Sequence, residues 1–149
     1  MGKTIKKKDE LAVLTAKPAV REDLGFWMDI YGDPEVRRQM YAAPVESDDV
    51  LWDYLYREQK AFTVWQSDKR VGGFLLSMVA PFLGTFSIVI HKDFRGSGHG
   101  REVMGLIESE ARKEGYRTLR ADVYSDNESS IRLLEKCGFR QFVWLEKNL

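Results

Sequence analysis

The chain has 149 residues, which suits a single domain that buries about 68–70% of the surface exposed by its unfolded chain. Basic and acidic residues are equal at 23 each, so no net charge draws the protein to nucleic acid or to an anionic membrane. No run approaches ~18 apolar residues, and no signal-peptide core follows the basic start. The one cysteine, Cys137, excludes an internal disulfide and a cysteine-based zinc site. We therefore expect a cytoplasmic protein without a metal centre.

The first part of the chain predicts a tail, a strand and three helices. Residues 1–10 carry a run of three lysines and are expected to be a flexible, solvated tail ahead of the domain. Leu11–Thr15 is the first predicted strand, and Pro18 is expected to stop it. Apolar residues at helical spacing, with caps at Asp33 and Ser47, then predict helices over about residues 21–31, from Pro34, and over 48–60.

From Ala61 the hydrophobic period changes to that of strands. Three predicted strands cover residues 62–65, 71–79, with an interruption at Gly72-Gly73, and 85–91, and they are expected to form an antiparallel meander. Next come a helix over 100–113 and a strand over 118–124. Asp126 or Asn127 is expected to start the last helix, which ends at Cys137 before the cap Gly138, and a strand over 139–147 follows. The expected fold is α/β: a mixed sheet of six or seven strands with helices on both faces.

A glycine-rich, basic turn follows the β-branched run Ile88-Val89-Ile90 and reads Arg95-Gly96-Ser97-Gly98-His99-Gly100-Arg101. Glycines let backbone N–H groups turn inward without obstruction by Cβ, and the positive end of the next helix points at the same place. The turn therefore predicts an anion cradle, with phosphate as the natural guest. Its spacing fits neither the Walker loop nor the dinucleotide fingerprint, so a nucleotide-hydrolysing function ranks low.

Two motifs occur in order, separated by one predicted helix and one predicted strand. The first is Arg95-x-x-Gly98-x-Gly100, and the second runs from Asn127 to Phe139 as Asn-Glu-Ser-Ser-Ile-Arg-Leu-Leu-Glu-Lys-Cys-Gly-Phe. They resemble the (Arg/Gln)-x-x-Gly-x-(Gly/Ala) and Asn-x-x-(Ala/Ser)-x-x-Leu-(Tyr)-Glu-Lys-x-Gly-Phe signatures of the GNAT superfamily of acyl-CoA-dependent N-acyltransferases. The resemblance covers residues 85 to 140. Within the superfamily, the sequence is somewhat similar to the ribosomal-protein N-terminal acetyltransferases.

The resemblance implies a sheet that splays between the strand before the cradle and the strand after its helix, with the pantetheine arm of acetyl-CoA in that V. The backbone of Ile88, Val89 and Ile90 would pair with the pantetheine amides and hold the oxyanion. The other implied cofactor-binding residues are Arg95, Gly96, Ser97, Gly98, His99, Gly100, Arg101 and Asn127. A solvated surface arginine is the alternative for Arg101, and His99 is interpreted as a loop residue rather than a base.

The catalytic residues are less well defined by the resemblance. Related enzymes often carry Glu five residues before the motif asparagine, and Asp122 stands at that position here. It would be either a general base that acts through a water molecule or a structural partner of Arg120. The usual acid, a tyrosine seven residues after the asparagine, is replaced by Leu134, so Tyr124 or Ser130 would donate, or the thiolate would leave unassisted. Cys137, at a helix end, is expected to be structural rather than an acyl carrier.

The predicted function is acetyl transfer from acetyl-CoA to the primary amine of a small molecule or peptide, by direct attack in a ternary complex. The alternative is a non-catalytic acyl-CoA-binding module, motivated by the missing tyrosine. The acceptor pocket implied by the resemblance lies between the N-terminal helices and the last hairpin. Its aromatic candidates are Trp27, Tyr31, Tyr41, Trp52, Tyr54, Tyr56 and Trp144, many of them expected to be packing residues. A homodimer is left open.

Overall fold

The computed structural model describes residues 13–40, 45–58, 60–143 and 145–149. The strands are β1 (Leu14–Pro18), β2 (Lys60–Gln66), β3 (Lys69–Ala80), β4 (Leu83–Ile90) and β5 (Thr118–Arg120). The helices are α1 (Leu24–Gly32), α2 (Pro34–Gln39), α3 (Asp48–Asp53), α4 (His99–Lys113) and α5 (Glu128–Lys136). No helix in this described part is long and apolar enough to cross a lipid bilayer.

The five strands form one mixed sheet in the order β1-β2-β3-β4-β5. The first four pair antiparallel, and β2, β3 and β4 are the predicted meander. β5 lies parallel to β4 because α4 forms the crossover between them. The α/β class and the mixed sheet are thus confirmed. The predicted count of six or seven strands is wrong for the described residues, which contain five.

Differences from the predicted elements concentrate at the ends of the chain. The described residues of 139–147 form no strand, because no neighbouring strand receives this segment. The side chain of Gln141 donates to Glu135 of α5 at 2.7 Å. β5 ends at Arg120 instead of Tyr124. β1 starts at Leu14 and includes Pro18, which an edge strand tolerates. Residues 1–12, and with them the predicted tail and the start of the first strand, lie outside the described residues.

Two further predictions were wrong in the middle of the chain. The helix predicted over 48–60 is α-helical only to Asp53 and continues as the π-helical segment Tyr54–Glu58. The glycine pair Gly72-Gly73 does not interrupt β3; a Cβ on Gly73 would collide with the indole ring of Trp27. Glycine at this position therefore lets α1 pack closely on the strand.

Local chemistry sets the helix ends as predicted. The side chains of Asp33, Ser47 and Asn127 accept backbone hydrogen bonds at the starts of α2, α3 and α5. Gly138 follows α5 with a φ of +91°, the left-handed conformation expected of a glycine cap.

A separate hydrophobic core covers each face of the sheet, which confirms helices on both sides. One core packs α4 and α5 on the sheet and includes Phe74, Val103, Met104 and Ile107. The other packs α1, α2 and α3 on the opposite face, around the fully buried Trp27. Side chains of adjacent β3 residues lie in opposite cores, because successive side chains point to opposite faces of a strand.

A buried polar network holds α1 to the sheet. The indole N–H of Trp27 donates to Thr63 Oγ1 at 3.1 Å, and that hydroxyl donates to Asp23 Oδ2 at 2.8 Å. Asp23 also accepts from the backbone N–H of Val20 at 3.0 Å and from Arg70 Nε at 2.7 Å. Asp23 is 1% exposed, but both of its carboxylate oxygens accept hydrogen bonds, and these offset the cost of burying the charge.

Candidate active site

The sheet opens in its middle, between β4 and β5. Three residue pairs join these strands, the last of them Thr85 with Arg120, where Thr85 Oγ1 also donates to the Arg120 carbonyl at 3.1 Å. Beyond that pair the chain after β5 leaves the sheet, while β4 continues to Ile90 along β3. The strands therefore splay, as the resemblance implied.

The V between the splayed strands is a cleft of about 460 Å³. Its sides are residues 86–90 of β4 and residues 121–124 after β5, and its base is the glycine turn with the start of α4. Residues of α2 and α5 cover it from the two faces of the sheet. Within the described residues, the edge of β4 beyond Thr85 has no strand on the cleft side, so its backbone amides are available to an extended guest.

The glycine turn has the backbone expected of an anion cradle. Gly96 and Gly98 have φ of +78° and +81°, and a Cβ on either would meet no heavy atom within 4 Å. Gly98 precedes α4 without any side-chain cap, so the first N–H groups of that 15-residue helix remain available. The dipole and these N–H groups together favour a phosphate at this end of the cleft.

Most of the predicted cofactor-binding residues line the cleft, namely Ile88, Val89, Ile90, Arg95, Gly96, Gly98, His99, Gly100 and Asn127. Ser97 and Arg101 do not, and both are exposed. Arg95 donates from Nε to the Ile90 carbonyl at 2.9 Å and pairs with Asp33 at 3.6 Å, so its guanidinium is held beside the turn. Asn127 Oδ1 accepts from the backbone N–H of Ser130 at 3.3 Å, which is its capping role.

The two predicted catalytic side chains, Asp122 and Tyr124, both line the cleft. Asp122 is 63% exposed and lies 3.7 Å from Arg120 Nε, so the ion pair weighed from the sequence is present. Leu134 is buried at the cleft wall, and Cys137 is a half-buried residue against the core that does not line the cleft. Asp122 and Tyr124 thus both face the cleft from the chain that follows β5.

One wall of the cleft was missed by sequence reasoning. It consists of α2 residues, including Glu35 and Gln39. Arg38 joins this wall to the chain after β5: it bonds to Glu35 at 2.9 Å, lies 3.6 Å from Asp126, and places its guanidinium 5.6 Å from the ring centroid of Tyr124. The hydrogen bond from Arg38 lowers the pKa of Glu35, so this carboxylate stays charged to lower pH than usual. No local signal in a six-residue helix tells which face meets a cleft.

The aromatic residues predicted for an acceptor pocket lie elsewhere in the described structure. Trp27 and Tyr31 are core residues, and burial raises the pKa of Tyr31 far above its usual value. Tyr54 packs against the same core, while Trp52 and Tyr56 stack on each other at 5.0 Å and border a smaller pocket near β1. The remaining two, Tyr41 and Trp144, lie outside the described residues. None of the five described aromatic candidates lines the cleft.

Comparison with known proteins gives a family match and a set of similar folds. A family model described as the acetyltransferase (GNAT) family matches residues 27–139. A spermidine N-acetyltransferase from Vibrio cholerae, solved with CoA and spermine, aligns with a TM-score of 0.80 and 20% identity over 87% of this chain and 82% of that one. The aminoglycoside acetyltransferase AAC(6')-Ib with coenzyme A gives 0.74 and 16% over 87% and 85%, and an N-acetyltransferase from Staphylococcus aureus Mu50 gives 0.71 and 24% over 85% and 83%. The search of curated proteins found no match.

Proposed function

Because the chain belongs to the GNAT acetyltransferase family, and is therefore an acyltransferase with acetyl-CoA as co-substrate, we propose that it acetylates a primary amine of a small molecule or peptide. Both substrates would occupy the cleft together, and the amine would attack directly. The observation that carries the proposal is the splay of β4 from β5, which ends on a glycine turn and the free start of α4. A thioester on an extended arm with a phosphate at its far end fits that geometry.

The open edge of β4 supports the placement of the co-substrate arm. Backbone groups of Ile88–Ile90 would pair with its amides and donate to the oxygen that becomes negative during transfer. At the base of the cleft, the N–H groups around Gly98 and the positive end of α4 would hold the pyrophosphate. Arg95, which is fixed by the Ile90 carbonyl and Asp33, adds a positive charge at the same end.

Transfer requires the amine nitrogen to bond to the thioester carbonyl carbon, the carbon–sulfur bond to break, and the amine to lose a proton. We propose that Asp122 accepts this proton through a bridging water, since its carboxylate lies at the cleft wall and is more than half exposed. Tyr124 would donate a proton to the departing thiolate. Leu134 stands where the family usually has tyrosine, and its side chain has no proton to give, so another residue must be the donor.

The α2 wall supports a cationic acceptor. Glu35 places a carboxylate in the cleft, and its lowered pKa keeps that charge at any pH near neutrality. Arg38 offsets much of this charge at 2.9 Å, but the carboxylate of Asp122 also lines the cleft. Oxygen lone pairs of the two carboxylates can accept hydrogen bonds from an ammonium group, whereas an acidic acceptor would be repelled. Two of the enzymes with similar folds are named for amine-rich acceptors, spermidine and aminoglycosides. We therefore favour a small molecule with more than one amine over a peptide.

The proposal is tested by following thiol release from acetyl-CoA with a panel of amines. We expect release that depends on the added amine, is fastest for diamines and polyamines, and gives a mass increase of one acetyl group on the acceptor. Carboxylated amines of similar size provide the matched control for charge. CoA binding without turnover for any amine would contradict the enzyme and favour a non-catalytic acyl-CoA-binding module.

A further inference from the structure

Segment 121–126, which carries the proposed base and the proposed proton donor, lies outside the sheet. β5 ends at Arg120, and within the described structure no strand pairs with the segment. Ala121 and Val123 pack against the hydrophobic core on the α4–α5 face, which holds the segment from one side. The positions of the two proton-transfer groups therefore depend on side-chain contacts rather than on a strand ladder.

Arg38 contacts this segment from α2, which packs on the other face of the sheet. Its Nε and Nη2 donate to the two carboxylate oxygens of Glu35 at 3.1 and 2.9 Å, and this two-point contact fixes the plane of the guanidinium. The third nitrogen, Nη1, lies 3.6 Å from Asp126 Oδ2, and the guanidinium carbon lies 5.6 Å from the ring centroid of Tyr124. One side chain thus connects α2 with both the end of the segment and its aromatic residue.

We propose that Arg38 is a positioning residue for acetyl transfer, which holds Tyr124 and the adjoining Asp122 where they can exchange protons with the departing thiolate and the attacking amine. This inference rests on the proposed function. Arg38 does not itself line the cleft, so it acts through the segment.

The contacts of Arg38 matter for geometry more than for global stability. Ion pairs between exposed groups contribute little to folding, because water screens them and holding two long side chains together costs entropy. A misplacement of about 1 Å in a reacting group, however, can lower a rate about 10²-fold. Loss of Arg38 is therefore expected to lower the rate of transfer without unfolding the protein.

Arg38→Ala removes the bridge, and Arg132→Ala is its matched control. Arg132 pairs with Glu128 at 3.3 Å on the exposed surface of α5, and neither residue lines the cleft. We expect Arg38→Ala to lower kcat about 10- to 100-fold while CoA affinity stays parental and the KM for the amine does not rise. The control should keep parental kinetics, and both variants should keep urea midpoints close to that of the parent.

Two further measurements separate positioning from packing. Guanidinium ion at millimolar concentration should restore part of the kcat of Arg38→Ala, since it can occupy the same place between the carboxylates, and it should not change the control. Asp126→Asn removes the charge at the far end of the bridge, from a residue that does not line the cleft. It should lower kcat about 10-fold, whereas Glu128→Gln should not. Combined with Arg38→Ala, it should cause no further loss, because both changes break the same bridge.

Parental kcat in a folded Arg38→Ala protein with an active parent would overturn this inference alone. So would a loss of kcat that guanidinium does not reverse and that accompanies weaker CoA binding and a lower urea midpoint, because that pattern is general structural damage. If Arg38→Ala does not fold, parental kcat in Asp126→Asn has the same meaning. A parent protein without amine-dependent turnover would overturn the proposed function and this inference together.

Discussion

Gly98→Ala tests the glycine turn with a control at the other end of the same helix. Gly98 and Gly115 flank α4 with nearly equal φ, +81° and +82°, and a Cβ on either would meet no heavy atom within 4 Å. Replacing either by alanine therefore adds backbone strain without a clash. A left-handed conformation costs an L-residue about 1–2 kcal/mol, and the stiffer unfolded chain returns about 0.4–1 kcal/mol. Each variant should lose about 1 kcal/mol of unfolding free energy.

The two variants should differ in ligand binding. Gly98 lines the cleft and Gly115 does not, so only the methyl group at 98 occupies space needed by the pyrophosphate. We expect Gly98→Ala to weaken CoA binding by about 10-fold or more, which corresponds to about 1.4 kcal/mol, and Gly115→Ala to bind as the parent does. Urea unfolding and calorimetric titration give the two quantities. Parental CoA affinity in a folded Gly98→Ala protein would refute the cradle assignment.

Three other predictions address the base, the α2 wall and the buried network. Asp122→Asn should lower kcat/KM about 10²–10⁴-fold with CoA affinity unchanged, and parental kinetics in a steady-state assay would remove Asp122 as the base. Arg38→Ala should raise the pKa of Glu35 back toward that of an ordinary glutamate, because the hydrogen bond that lowers it is lost; NMR titration measures this, and an unmoved pKa would contradict the stated cause. Thr63→Val should cost about 2–4 kcal/mol in urea unfolding, since it leaves the Trp27 N–H without an acceptor and removes one of the two donors to Asp23 Oδ2. Thr63→Ser, which keeps the hydroxyl, should cost about 1 kcal/mol. Equal losses in these two variants would mean that the methyl group, not the network, matters.

Features set by chemistry within a few residues were predicted well. The caps at Asp33, Ser47 and Asn127 and the glycine after α5 depend on side-chain oxygens and backbone angles that sequence displays directly. The same holds for the glycine turn. Its position after a β-branched strand and before a helix was enough to predict its conformation.

Features set by distant partners were not predictable in the same way. The apolar run 142–145 favours a strand, but a strand forms only where a neighbouring edge receives it, and the described residues of this segment have none. Likewise, α2 lies at the cleft wall because it packs with α1 on the same face of the sheet and because Arg38 contacts the chain after β5. Glu35 owes its place in the site to those contacts rather than to its own neighbours in sequence.

The splay that opens the cleft also creates a strand edge in the interior of a sheet. Exposed edges present unpaired N–H and C=O groups on which other chains can add a strand, and this is a common start of aggregation. Here the edge of β4 lies between α2 and α5, in a gap lined on both sides by protein, so a single extended molecule can enter but the edge of another folded sheet cannot. The helices that cover the V therefore shield this edge from strand addition while leaving the same hydrogen-bonding groups available to a narrow ligand.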